Sequence, residues 1–375
     1  MLKNTMPDNT LNSSFGDFEL QRRPLVSGLK AWDGADEYLL ELAQGQPSQS
    51  ALIINDNFGA LACALHQLQP TSWSDSHTTH LATQENYARN LLPETFTALA
   101  STDSPTTDID LVLWRVPKST SLFEQQIARL RAVLTPETII FVGGMDKHLL
   151  PNTKELLTRL GKVTTLAGKR KSHVFRVEFD PSLPSPFAPK NIELALPEYD
   201  LTISGDANVF AREKLDIGAR FFIEQFAQLP KASTIADIGC GNGVLSLAVH
   251  KLQPQATVYA CDESYQAIVA ARANWQRNFG AANEGNFAVD DGLSNYQGEP
   301  FDLILCNPPF HQQHVIGDHI ARQLFTQSKK HLAPGGQLWV VGNRHLDYHI
   351  VLKKIFGNCR QQAANQKFVV LVAQR

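Results

Sequence analysis

The stretch Thr234–Pro254 reads "TIADIGCGNGVLSLAVHKLQP". An apolar run leads into glycines at 239, 241 and 243, and a second apolar run closes on Leu-Gln-Pro. The pattern is a strand, a tight turn and a helix. Glycines in such a turn bring backbone N–H groups and a helix N-terminus close to a ligand. The chain states this motif twice, since Ala51–Pro70 reads "ALIINDNFGALACALHQLQP". Two further pairs follow in the same order. "DIDLVLWRVPK" (Asp108–Lys118) matches "PFDLILCNPPF" (Pro300–Phe310), and "LTPETIIFVGG" (Leu134–Gly144) matches "LAPGGQLWVVGN" (Leu332–Asn343). Three pairs in register imply two α/β domains of one plan. Strands are expected at Thr234–Ile238, Thr257–Cys261, Phe287–Val289, Phe301–Cys306, Gln337–Gly342 and Phe368–Ala373. Helical stretches between most of them imply a mostly parallel sheet covered on both faces. The closing "CRQQAANQKFVVLVAQR" reads as a hairpin turning at Ala364–Gln366, adding an antiparallel edge. Phe179–Asp200 carries five prolines and little periodicity, which marks a linker. The expected division is a domain at 1–185, a linker at 186–200 and a domain at 201–375.

Composition sets the outer bounds. A chain of 375 residues that is 43% hydrophobic and 19% charged buries a sizeable core in two domains. No run approaches the ~20 apolar residues of a membrane span, and the N-terminus lacks the apolar core of a signal peptide. The five cysteines form no C-x-x-C pair, which suits buried, reduced thiols and a cytoplasmic protein. The net charge of −3, with 17 basic residues on each side of residue 185, leaves any RNA contact to local patches. No membrane partner is expected, and a monomer is.

Acidic residues stand at three strand ends in succession. Asp237 precedes the glycine turn, and its carboxylate suits a cationic or amine-bearing ligand better than a pyrophosphate. Asp262, 25 residues on, ends the next strand, where an acid accepts from ribose hydroxyls. Asp290 and Asp291 follow the third strand, and one of them is placed to accept from an adenine amino group. Each alone reads as a solvated turn residue. Together they line the crevice where doubly wound sheets bind ligands.

The order "DIGCGNG", "CDES", "DDGLS", "NPPF" resembles the class I S-adenosylmethionine-dependent methyltransferases. That resemblance implies two tandem Rossmann-like domains with seven-stranded sheets, and S-adenosylmethionine (AdoMet) as cofactor. It puts Asp237, Gly239 and Gly241 around the methionine portion, Asp262 on the ribose and Asp291 near the adenine. Asn307-Pro308-Pro309-Phe310 then acquires a purpose. An exocyclic amine on a base is a poor nucleophile, because its lone pair is delocalised, so it has to be held in line with the donor. Asn307 accepts one N–H, the Pro308 carbonyl accepts the other, and Phe310 offers a face for base stacking. The motif alone leaves adenine N6, guanine N2 and a glutamine amide open.

"ANVFAREKLDIGARFF" (Ala207–Phe222) narrows the choice, because it resembles the F-x-R-x-x-L-D-x-G segment of the rRNA guanine-N2 methyltransferases. In that reading Phe210, Arg212 and Asp216 belong to the cofactor site. The family also carries a degenerate N-terminal methyltransferase-like domain and Phe after the prolines. The resemblance, closest to the large-subunit (23S) enzymes, covers essentially the whole chain and implies methylation of a guanine N2 in 23S rRNA. The alternatives are adenine N6 or a glutamine amide as acceptor, or a catalytically silent RNA-binding or assembly factor.

The N-terminal copy departs from a working site. Aligning Gly59 with Gly243 puts Asn57 at Gly241, Asn55 at Gly239 and Ile53 at Asp237, while Arg115 stands where Asn307 does. Arg115 and Lys118 then sit on a former active-site rim, either touching phosphate or solvated. The clusters "GKRKSH" (Gly168–His173) and "LKKIFGNCR" (Leu352–Arg360) are further candidates for phosphate contact. His311, His314 and His319 lack the partners of a tetrahedral set, so no metal is expected.

Overall fold

The computed structural model describes residues 9–93, 95–106, 108–185, 192–205, 215–281, 283, 285–309 and 314–375, the side chains of 314–318 excepted. The chain divides into two compact units, Met1–Pro189 and Lys190–Arg375.

In the first unit a hairpin of β1 (Thr10–Ser13) and β2 (Gly16–Glu19) precedes a seven-stranded sheet. Its strands are β3 (Ala51–Ile54), β4 (Thr71–Ser74), β5 (Thr97–Ala100), β6 (Leu111–Arg115), β7 (Ile139–Met145), β8 (Gly161–Thr165) and β9 (Ser172–Phe179). Helices α1 (Gly34–Ala43), α2 (Ala60–Ala64), α3 (His77–Arg89), α4 (Thr120–Leu130) and α5 (Thr153–Leu157) intervene. The second unit opens on a hairpin of β10 (Ile192–Leu196) and β11 (Leu201–Gly205). Its sheet holds β12 (Thr234–Ile238), β13 (Thr257–Asp262), β14 (Asn286–Val289), β15 (Phe301–Cys306), β16 (Leu332–Asn343), β17 (Arg360–Ala364) and β18 (Phe368–Gln374). Its helices are α6 (Ile217–Ile223), α7 (Val244–Leu252), α8 (Tyr265–Phe279), α9 (His314–His331) and α10 (Tyr348–Phe356).

The two sheets have one topology, β5-β4-β3-β6-β7-β9-β8 and β14-β13-β12-β15-β16-β18-β17. In each the first five strands in chain order are parallel, and the last two pair antiparallel. The central strands are buried on both faces, which is why "LVLW" and "LILC" within them read as unbroken apolar runs. In the second unit Ile235, Leu303, Leu305, Trp339 and Val341 pack on one face with α6 and α7. Ala236, Ile304, Cys306, Leu338 and Val340 face α9 and α10. All five cysteines are free thiols, four of them buried. No helix among the described residues is long and apolar enough to cross a membrane.

One expectation needs correction. Residues 192–200, read as part of the linker, form β10 and the turn that pairs it antiparallel with β11, and Leu196 is buried in the second unit's core. The prolines masked this strand, because only Pro197 falls inside the hairpin, at its turn. The closing hairpin forms as expected, with β18 paired to β16 and β17 as the antiparallel outer strand.

Candidate functional site

Strand order reverses direction at β12, whose neighbours β13 and β15 lead the chain to opposite sides, and the crevice for ligands opens at the carboxyl ends there. The glycine turn forms its floor. Gly239, Gly241 and Gly243 all take left-handed conformations, with φ of 73°, 55° and 82°. The turn is tied to β13: the Gly239 and Cys240 amides donate to the Cys261 carbonyl at 2.8 and 3.0 Å, and the Gly241 amide to Asp262 Oδ2 at 2.9 Å. A Cβ on Gly243 would meet Ala271 of α8 at 3.1 Å, whereas on Gly239 or Gly241 it would meet nothing within 4 Å. Those two glycines therefore answer to backbone conformation and to open space above the turn, the shape a ligand needs.

Asp237 is fully buried. Its Oδ2 accepts from the Ser246 amide at 3.0 Å and the Ser246 hydroxyl at 2.6 Å, while its Oδ1 has no partner among the described residues. Burial pushes the carboxyl up to about 7, against the pull of the two Ser246 bonds. Ser246 was not anticipated; its signal is a lone hydroxyl in the apolar helix "VLSLAVHKL". Asp262 Oδ1 accepts from the Ser264 amide at 3.0 Å. Asp290 is engaged by its own turn, accepting from the Asn295 amide and side chain, both at 2.9 Å. Asp291 is half-buried and accepts from Gln323 Nε2 at 2.8 Å. Asn307 follows β15, and its Oδ1 is buried without a partner among the described residues; Pro308 is buried beside it. Asp216 caps α6, accepting from the Ala219 amide at 2.8 Å. Phe210, Arg212 and Phe310 lie outside the described residues. The donor set fits AdoMet: an open left-handed turn, an acceptor with a spare oxygen beneath it, and carboxylates at the next two strand ends.

The same place in the first unit is filled by its own side chains. The sheet register confirms the equivalence, since Ile53 pairs with Leu113, two residues before Arg115, as Asp237 pairs with Leu305, two before Asn307. Asp56, where the second unit has Cys240, accepts from the amides of Gly59, Ala60, Leu61 and Ala62 at 3.0–3.2 Å and so occupies the start of α2. Asn55 takes the left-handed conformation of Gly239 and exchanges hydrogen bonds with Gln126. Ser74 replaces Asp262. Arg115 is neither a phosphate contact nor a solvated rim, because only 7% of it is exposed. It grips Asp33 with two nitrogens at 2.6 and 2.8 Å and Asp36 with one at 2.9 Å. Burial pushes Asp36 up to about 7 despite Arg115, and it also raises Asp56 against its amide donors. In the "GKRKSH" cluster, Lys169 and Arg170 form surface ion pairs with Glu41, and Arg170 also pairs with Glu37.

Two outcomes are expected. Arg115→Ala leaves the buried Asp36 and the half-buried Asp33 without their cation and should destabilise the first unit by about 3–5 kcal/mol in urea at pH 8. The loss should shrink at pH 5, where Asp36 is protonated. For Asp237 the folded value of about 7 lies above the ordinary 3.8, so its contribution to stability is lost as pH rises through 7. Asp237→Asn should flatten the fall in melting temperature between pH 5 and 8 in protein without added ligand. An unchanged slope would mean that Asp237 titrates as an ordinary carboxylate.

Comparison with known proteins fixes the family. The methyltransferase small domain family matches residues 200–372, and the RLMG N-terminal domain family matches residues 8–181. The ribosomal RNA large subunit methyltransferase G of Stutzerimonas stutzeri is 43% identical over 370 residues, covering 96% of this chain and 98% of that protein. The protein of that name from Shewanella putrefaciens is 41% identical over 373 residues, with 96% and 97% covered. Among solved structures, a T. thermophilus 16S rRNA N2 methyltransferase in complex with AdoMet and guanosine superposes with a TM-score of 0.78 over 98% of this chain and 97% of that one. At 18% identity that match speaks to the fold, two tandem units included. With identity above 40% along nearly its whole length, and with one unit keeping the open glycine turn while the other has filled it, the chain belongs to the ribosomal RNA large subunit methyltransferase G family.

Proposed function

We propose that this chain transfers the methyl group of AdoMet to the exocyclic N2 of one guanine in large-subunit rRNA, with the second unit as the catalytic one. The observation that carries the reading is the buried, unpartnered Oδ1 of Asn307 at the end of β15, next to the strand that bears the glycine turn. A buried acceptor without a donor is costly, and an incoming N–H group removes the cost. Asn307 accepts one hydrogen of the amine, the Pro308 carbonyl accepts the other, and Phe310 stacks on the base. Orientation supplies most of the rate, because the residues restrict the amine to one approach. The product amine releases its extra proton to water, so no tuned base is required. Asp237, Gly239 and Gly241 would hold the amino-acid end of the cofactor, Asp262 the ribose and Asp291 the adenine, with Phe210, Arg212 and Asp216 completing the site. Bound there, the cofactor supplies a methyl group on a sulfonium centre.

The first unit has filled its own crevice, and its role in this reading is structural support and RNA contact. Lys169, Arg170 and Lys171 stand together on one hairpin turn, and the three ion pairs there are exposed enough for a phosphate to compete.

Asn307→Ala should lower methyl transfer about 100- to 1000-fold, the equivalent of about 3–4 kcal/mol, with AdoMet affinity kept within a few fold. Asp262→Ala should do the reverse, weakening a 1:1 AdoMet isotherm. The assay supplies labelled methyl donor and unmodified large-subunit rRNA, then locates the label by nucleoside analysis. Label on adenine N6 would refute the guanine reading, and full activity in Asn307→Ala would refute the site. Replacing Lys169, Arg170 and Lys171 together should flatten the salt dependence of RNA binding, by roughly one log–log unit for each phosphate they neutralise. An unaltered slope would remove that turn from the RNA surface.

A further inference from the structure

Four buried side-chain atoms of the second unit have no hydrogen-bond partner among the described residues: Asp237 Oδ1, His250 Nδ1, Asn307 Oδ1 and Asn343 Oδ1. Three of these are oxygens, and they stand at the carboxyl ends of three adjacent strands, β12, β15 and β16. Their heights follow from the register. Asp237 is level with Leu305, two residues below Asn307, and Cys306 is level with Val340, so Asn343 ends two residues above the level of Asn307. Their face follows from alternation. Ile235, Leu305 and Val341 pack in one core, and Asp237, Asn307 and Asn343 each lie two residues beyond one of them. The three oxygens form a rising diagonal that starts beneath the glycine turn, passes the amine acceptor and ends at Asn343, which is 8% exposed.

The first unit provides an internal control. There Trp114 pairs with Val142, so Met145 occupies the place of Asn343. The copy that has filled its crevice carries Ile53, Arg115 and Met145 at these three positions. All three partnerless oxygens are lost together, which ties Asn343 to the ligand-binding function of the crevice rather than to the sheet.

We propose that Asn343 is a specificity-determining residue that reads the guanine edge beside the target amine. This rests on the guanine-N2 reading above. With N2 held by Asn307, the next groups along the same edge of guanine are N1–H, a donor, and O6, an acceptor. A carboxamide one step further up the diagonal matches them: Oδ1 accepts N1–H and Nδ2 donates to O6. Adenine offers neither group, since its N1 is an acceptor and an amine replaces O6. Asp237 lies at the low end of the diagonal, under the glycine turn, which leaves the high end to the base.

The test uses the full-length protein and an RNA fragment spanning the guanine located by the labelling assay. The fragment is made with guanine or with 2-aminopurine at that position. 2-Aminopurine keeps the N2 amine but lacks both N1–H and O6. Wild type should prefer guanine by about 100-fold in kcat/KM, the upper end of what leaving a buried polar group unsatisfied costs. Asn343→Ala should lose about that factor on guanine while changing 2-aminopurine by less than about 3-fold, so the preference collapses. Asn343→Met, the residue at the equivalent place in the first unit, should behave alike and guards against a folding defect. Asn343→Asp keeps the N1–H acceptor and should retain part of the preference. An AdoMet isotherm within about 2-fold of wild type shows that the crevice is intact in each variant. Equal losses on both substrates, or no loss on either, would overturn the role of Asn343 while leaving the guanine-N2 reading standing. Label on an atom other than N2 in the wild-type reaction would overturn both.

Discussion

The turn after β12 has to run left-handed at three alternate positions while its amides remain bonded to the end of β13. The Cys261 carbonyl receives two of those amides and the Asp262 carboxylate a third. This tether sets the floor of the crevice, aims the start of α7 at it and fixes how far Asp237 sits below. Glycine takes the left-handed region without strain, and only a residue without a side chain leaves the volume above the turn free. Packing explains Gly243, which lies against α8. Gly239 and Gly241 meet no such packing: a Cβ on either would find nothing within 4 Å, leaving open space above the turn.

Two copies of one topology resolve the same problem in opposite ways. A strand-to-helix turn at a switch point exposes amide donors and leaves room at three strand ends. The first unit satisfies them internally, with Asp56 on the amides of α2, Asn55 against Gln126, and Arg115 on Asp33 and Asp36. Among the described residues the second unit leaves acceptors unmatched on Asp237, Asn307 and Asn343. A polar group left unpaired inside a protein is a loss of stability that natural folds otherwise avoid. In the proposed reading, binding capacity at this crevice goes with incomplete hydrogen bonding, and its loss with completion. The cost of completion is also visible, since a buried arginine among three carboxylates is safe only while every member stays in place.

The division of labour among the acids has the same origin. Asp290 and Asp291 are adjacent, and both follow β14. Asp290 is turned inward to hold Asn295, while Asp291 is half-buried and faces Gln323 of α9. The partner that each finds in the fold separates them, not their type.

Much of the architecture was legible in the residues, because its signals are local. Strand runs that are apolar throughout report burial on both faces, alternate glycines report a left-handed turn, and paired prolines stop a strand at Asn307. The internal repeat then transferred each assignment from one half to the other, and the sheet register upholds the alignment of Ile53 with Asp237 and of Arg115 with Asn307. Tertiary structure decided what depends on distant partners. Arg115 became a buried ion-pair centre because Asp33 and Asp36, 82 and 79 residues away, are brought to it by α1. Strand β10 emerged from a proline-rich segment because β11 offers it a partner. Ser246 and Asn343 acquired their meaning only when α7 and β16 were set beside β12 and β15. Sequence patterns record which face of an element is buried; which polar atoms there go without a partner is a property of the assembled crevice alone.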